Sequence, residues 1–263
     1  GVVSAAGEQL SLIPIELPGP RLPHDMAITE HYSILMDLPV CVDTEALQRG
    51  RWRSVYRPEL GSRFAVIPRH GKAEDVRWFK AEPCYIYHVV NSWEEGDEVI
   101  MVAHKVAKPV ANSDESTASE FERMLQNLQM NAELWEWRFN LQTGETAERC
   151  LDTVNAEFPT TNPRDQGYPT RYGYAVTIGP LPTLRFDGIR KYDFASGEHQ
   201  EVRFGPGIYG SESPFAPSTV ATAEDQGYLL SFVQDELNER SELWIYDARN
   251  LQAGPCTRLA IPQ

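Results

Sequence analysis

At 263 residues the chain can bury a large core, either as one β domain or as two ordinary domains. Its 41% hydrophobic and 10% aromatic content is that of a folded soluble protein, and no apolar run nears the roughly 18 residues a membrane helix needs. A net charge of -14 with a pI near 4.9, unrelieved by any basic stretch, disfavours nucleic acid or an anionic membrane as main partner and leaves small molecules or cations.

From Leu10 to Leu17 a short apolar run is broken by Pro14, and the stretch PGPRLP then leads irregularly to His24. Met26 to Thr29 and Tyr32 to Leu38 alternate apolar and polar residues around Glu30 and His31, which predicts a hairpin-like pair. Glu45 to Gly50 predicts one helical turn, and Arg63 to Ile67 and Arg77 to Lys80 predict strands. Tyr85 to His104 reads as two strands, Tyr85 to Val90 and Glu98 to Ala103, joined by an acidic turn from Ser92 to Asp97. His88 then lies just ahead of an inner strand, where a lone histidine is more often a satisfied core or surface residue than a ligand. Residues 113–130 break the rhythm. Phe121, Met124, Leu125 and Leu128 recur there at helical spacing behind Ser119 as a cap, which predicts an inserted helix.

Three later segments look alike: Trp137 to Gly144, Lys191 to Gly197 and Ile245 to Asn250, each an apolar strand ending at Asn140, Asp193 or Asp247 before a turn. Those residues are 53 and 54 apart, and Pro68 precedes Asn140 by 72, or about 54 once an insertion of roughly 18 residues is set aside. A period near 50 built of short strands is the signature of a β-propeller, with four or five units fitting this length, whereas a β-sandwich would share the turn phrase only by coincidence. The expected architecture is all-β, a single partial propeller over residues 1–263 with the helical insertion near 113–130.

His24, His88, Glu157 and Glu212 fall on that frame at intervals of 64, 69 and 55 residues, about one blade each. Equivalent positions in successive blades converge on the channel, which gathers two imidazoles and two carboxylates. Imidazoles backed by carboxylates suit a transition metal, and iron, copper and zinc all fit. The remaining histidines, His31, His70, His104 and His199, are expected to face solvent and to bind nothing. Cys41, Cys84, Cys150 and Cys256 form no CxxC pair, so free thiols are expected.

In order and at these spacings, His24-Asp-Met-Ala-Ile-Thr29, His88-x-x-Asn91-Ser-Trp-Glu-Glu-Gly96, Glu157-Phe-Pro159 with Arg171-Tyr-Gly-Tyr174, and Ser211-Glu212-x-Pro214-Phe215 resemble the carotenoid cleavage oxygenases. The resemblance runs from about Leu10 to Pro262. It implies a seven-bladed propeller, here an incomplete arc of about four to five blades, carrying a non-haem Fe(2+) held by four histidines. It implies insertion of both atoms of O2 across a conjugated double bond of a carotenoid or apocarotenoid, giving two carbonyl products. His24 and His88 match the second and third iron ligands, and Glu157 and Glu212 match two of the three glutamates behind the ligands. The other ligands would precede Gly1 or follow Gln263, so the chain reads as a fragment that is itself inactive, with two terminal blades whose edges and apolar faces lie open.

Four neutral donors leave Fe(II) positively charged with open positions for O2 and substrate. Phe158 and Phe215 are expected either to line an apolar tunnel for an alkene or to be ordinary blade core. Cleavage of a stilbenoid, isomerisation without O2 and a non-catalytic binding propeller are the competing readings; a calcium-dependent hydrolase would need oxygen ligands instead. The N-terminus lacks the basic start and apolar core of a signal peptide and no N-x-S/T site occurs, so a cytoplasmic protein is expected, with peripheral membrane contact left open.

Overall fold

The computed structural model describes residues 1–109, 130–181 and 183–262; the helix expected near 113–130 lies, apart from Met130, outside them. Among these residues four antiparallel sheets of four or five strands follow one another along the chain, beside two two-stranded pairs, Val2–Val3 with Gln9–Ser11 and Val40–Val42 with Ser54–Tyr56. Sheet I holds Met26–Ile28, Tyr32–Asp37, Ser62–Pro68 and Arg77–Ala81. Sheet II holds Tyr85–Glu95, Glu98–Val106, Ala132–Asn140 and Thr146–Asp152. Sheet III holds Ala156–Thr160, Tyr172–Ile178, Phe186–Asp193 and His199–Arg203. Sheet IV holds Gly227–Asp235, Arg240–Asp247 and Pro255–Ala260, with Ile208–Tyr209 and Phe215–Pro217 both paired to its long strand Gly227–Asp235.

The repeated phrase of the sequence is the third strand of each sheet, so the 53- and 54-residue intervals measure one sheet per repeat. Its Asn or Asp turns the chain into the fourth strand. Asn140 Oδ1 accepts from the amides of Gln142 and Thr143 at 2.9 Å, and Asp193 Oδ1 from Ala195 at 3.0 Å and Ser196 at 3.3 Å. Gly144 and Gly197 close these turns at φ 79° and 75°, a left-handed backbone that glycine adopts without strain.

The core lies between successive sheets. Ile34, Phe64 and Phe79 of sheet I pack on Val99, Met101, Trp137 and Phe139 of sheet II, whereas Ile100, Val102 and Leu134 face Ala156, Ala175 and Tyr192 of sheet III. The strand Glu98–Val106 therefore buries both faces and reads as a continuous apolar run rather than an alternating one. Tyr174 and Ile189 of sheet III meet Leu229, Val233, Trp244 and Tyr246 of sheet IV. The far face of sheet IV leaves Tyr228, Phe232 and Leu259 exposed.

Side chains clasp one sheet to the next. Ser92 Oγ donates to Ile28 O at 2.7 Å, and Glu94 Oε1 accepts from Thr29 Oγ1 at 2.5 Å and from the His31 amide at 2.9 Å. Asn91 grips sheet III through Asp165 O, Tyr168 O and the Gly167 amide. Glu224, in a loop of sheet IV, accepts from Thr170 Oγ1 and from the amides of Arg171 and Tyr172. These clasps correct the expected acidic turn, because Asn91, Ser92 and Trp93 are buried strand residues and the connection shrinks to Gly96 and Asp97. His88 lies inside the strand Tyr85–Glu95, which leads into the inner strand Glu98–Val106 as expected. The helix Thr44–Gln48 is capped by Asp43, and no helix among the described residues is long and apolar enough to cross a membrane. All four cysteines are free.

Candidate metal centre

The four polar residues singled out in the sequence occur at the first strand of successive sheets. His24 stands two residues before Met26–Ile28, His88 lies within Tyr85–Glu95, Glu157 within Ala156–Thr160, and Glu212 three residues before Phe215–Pro217. The rings of His24 and His88 meet edge to face, with centroids 5.2 Å apart and planes at 81°. Glu157 is fully buried, and its Oε2 lies 2.7 Å from Nδ1 of the half-buried His88. An ionised carboxylate only accepts, so the ring proton belongs on Nδ1 and the lone pair of Nε2 is left for a metal. The hydrogen bond to Glu157 raises the His88 pKa, against the lowering by burial, and the fields of Glu157, Asp25 and Glu212 act in the same upward sense. Glu212 is exposed, and among the described residues no hydrogen bond joins it to either imidazole.

His24 is itself exposed, but the segment leading to it is fixed at several points. Asp37, 1% exposed, receives Arg21 Nε on one oxygen and Arg63 Nε on the other, each at 2.6 Å. Tyr85 OH donates to Leu22 O at 2.6 Å, and the Val89 amide to Asp25 Oδ2 at 2.9 Å. Asp25 thus ties the residue after His24 to the residue after His88, a link the sequence showed only as the dipeptide His24-Asp25. Tyr87, also not anticipated, sets its ring edge-on to His24 at 5.3 Å.

Phe158 adopts φ 52°, in the left-handed region that a bulky residue rarely takes, where the pairing of Ala156–Thr160 slips between Glu157 and Thr160. Its amide donates to Glu157 Oε2, and its ring lies 4.8 Å from the His88 ring and 5.1 Å from Phe186. Phe158 therefore borders the imidazoles. Phe215 does not; it stacks on Tyr174 at 5.5 Å inside the core.

The solvent-facing expectation for His31, His70 and His199 agrees with their exposure, but His104 overturns it. His104 is fully buried in Glu98–Val106, because both faces of that strand are covered. Burial pushes its pKa down to about 4.

Two imidazoles at right angles, one with its tautomer set by a buried carboxylate, are suited to two positions of a nitrogen-ligated transition-metal centre. No group of three or more His, Cys, Asp or Glu side chains that could hold a metal occurs among the described residues. An all-β stack with a histidine pair at the heads of two adjacent sheets and a carboxylate from a third defines a class that comparison with known proteins specifies. The family model described as RPE65, retinal pigment epithelial membrane protein, matches residues 1–263, and the chain belongs to this carotenoid cleavage oxygenase family. It is 33% identical over 278 residues to carotenoid 9,10(9',10')-cleavage dioxygenase of Crocus sativus, covering 99% of the chain and 50% of the relative. To carotenoid 9,10(9',10')-cleavage dioxygenase 1 of Phaseolus vulgaris it is 32% identical, with the same coverage. The lignostilbene dioxygenase structure of Pseudomonas brassicacearum superposes with TM-score 0.85 at 27% identity, covering 98% of the chain and 56% of that protein. The chain spans about half the length of the relatives it matches.

Proposed function

We propose that the full-length protein is a non-haem Fe(II)-dependent dioxygenase that cleaves a conjugated double bond of a carotenoid or apocarotenoid to carbonyl products. The observation that carries this reading is the His24–His88 pair with Glu157 holding the Nδ1 proton of His88. His24 and His88 would hold the iron, and the remaining ligands would come from outside these 263 residues. Bound there, the iron supplies the activation of O2 toward the alkene.

The chain's own residues prepare that site. Glu157 fixes the ring orientation of His88 and keeps Nε2 basic, and Asp25 locks the two histidine segments together. Phe158, backed by Phe186, gives the centre an apolar flank that suits a hydrocarbon. The names of the plant relatives favour a carotenoid, and the likeness to the lignostilbene enzyme keeps a stilbenoid as the second reading. In the same reading the four sheets are successive blades of a seven-bladed propeller.

The test is metal analysis of the full-length protein beside His24→Ala and His88→Ala, with product analysis on an apocarotenal and a hydroxystilbene under O2. We expect each variant to lose more than half of the bound iron and carbonyl products to appear from one of the alkenes. Iron retained in full by both variants, or no carbonyl product from either alkene, would defeat the assignment.

A further inference from the structure

Behind the histidine pair lies a second histidine chemistry that the centre described above does not use. His104 is 0% exposed, and neither of its ring nitrogens has a hydrogen-bond partner among the described residues. Glu157 Oε1 is likewise buried and unpartnered, while Glu157 Oε2 serves His88 Nδ1 and the Phe158 amide. The strands that carry the two orphans, Glu98–Val106 and Ala156–Thr160, are in direct contact, and the Glu157 carboxylate acts electrostatically on the His104 ring. They belong to adjacent sheets, His104 on the second strand of sheet II and Glu157 on the first strand of sheet III, whose neighbouring residues Val102 and Ala156 share one core.

Leaving three such atoms unpaired is destabilising, and buried polar atoms of this kind are ordinarily joined by an internal water. The donor and acceptor count agrees. A neutral imidazole offers one N–H and one lone pair, a carboxylate oxygen offers lone pairs, and a water supplies the two protons and two acceptor sites that connect them. Burial keeps the His104 ring neutral, so this connection adds no second charge beside the centre. An apolar side chain would otherwise be the expected occupant of a strand position covered on both faces.

We propose that His104 is a positioning residue for the metal centre, linked through an internal water to Glu157 Oε1 so that the carboxylate is held from both sides while it orients His88. The proposal rests on the iron reading given above. The chain His104, water, Glu157, His88 runs from the core of sheet II to the head of its first strand and passes through sheet III. It fixes the rotation of the Glu157 carboxylate from the Oε1 side, whereas the bonds from His88 and the Phe158 amide both fall on Oε2.

The experiment uses the full-length protein with His104→Gln, which keeps a donor and an acceptor, and His104→Leu and His104→Phe, which keep neither. Each is made alone and with Glu157→Gln, and Fe(II) affinity is read by chelator competition, with the denaturant midpoint of the metal-free protein read in parallel. We expect the apolar variants to bind iron about 10-fold more weakly, as for other groups that support a ligand, and His104→Gln to stay within about 3-fold of wild type. In the Glu157→Gln background the apolar change should add no further loss, because the two act as one unit. Unchanged affinity with a raised denaturant midpoint would overturn the proposal, since it would mean His104 is simply an unpaired polar group. So would equal loss in both backgrounds. If neither apolar variant folds, His104→Gln decides, and a 10-fold loss there counts against the link. A wild-type protein that binds no iron would sink the iron reading, while the metal-free midpoints still report the link: additive shifts for His104 and Glu157 overturn it.

Discussion

Desolvation holds the His104 imidazole neutral; Glu157 and Asp152 favour its protonation and His88 opposes it, and burial outweighs them. The folded-state pKa of about 4 lies below the unfolded value of 6.5, so between these limits the unfolded chain binds the extra proton. The resulting stability is complete above about pH 6.5 and is lost as pH falls toward 4, a difference of about 3 kcal/mol at most. We expect denaturant midpoints to fall across that window in the wild type and to fall less in His104→Leu. Parallel pH profiles for the two proteins would refute this. The burial of His104 was not legible in the sequence, because the charged Lys105 after it makes Ala103-His-Lys105 read as the polar end of a strand. A strand covered on both faces has no alternation to mark which way a side chain points.

At the scale of elements, the approach to His24 is an irregular segment fixed by the Arg21–Asp37–Arg63 triad and by an isolated antiparallel bridge between Arg21 and Cys41. Replacing Asp37 with Asn would leave the 5%-exposed Arg21 without its counter-charge, at a cost of about 3 kcal/mol. It should also lower iron retention in the full-length protein, because the loop presenting His24 loses its anchor. Denaturation and metal content together check this; a stability loss below about 1 kcal/mol with full iron content would contradict it. The long second and third strands were readable from their apolar runs and turn residues, with boundaries near those observed at Tyr32 and Ser62. The first strands of sheets III and IV were not, because Pro159 and Pro214 interrupt short segments and the slip at Phe158 destroys the period. Those are the strands that carry Glu157 and follow Glu212, so these two candidates came from spacing and family likeness and not from local structure.

At the scale of the whole molecule, sheet IV ends the stack with a face that carries exposed apolar side chains among the described residues. Tyr228 at 45%, Phe232 at 60% and Leu259 at 49% exposure lie together on sheet IV, on its solvent face. The 263-residue chain expressed by itself should self-associate through this surface, and Phe232→Lys should reduce the association. Light scattering across a concentration series tests it, and a monomeric wild-type chain at tens of micromolar would argue against it. The clasps between sheets carry a different consequence, one of timing. The amides of His31, Gly167 and Arg171 are bonded by side chains of the adjoining sheet, at Glu94, Asn91 and Glu224. Each turn residue is thereby a clock on its neighbour: its proton meets solvent when two sheets part, not when its own turn frays. The opening of the histidine pair, which spans the first of these boundaries, is therefore metered by the amide of His31.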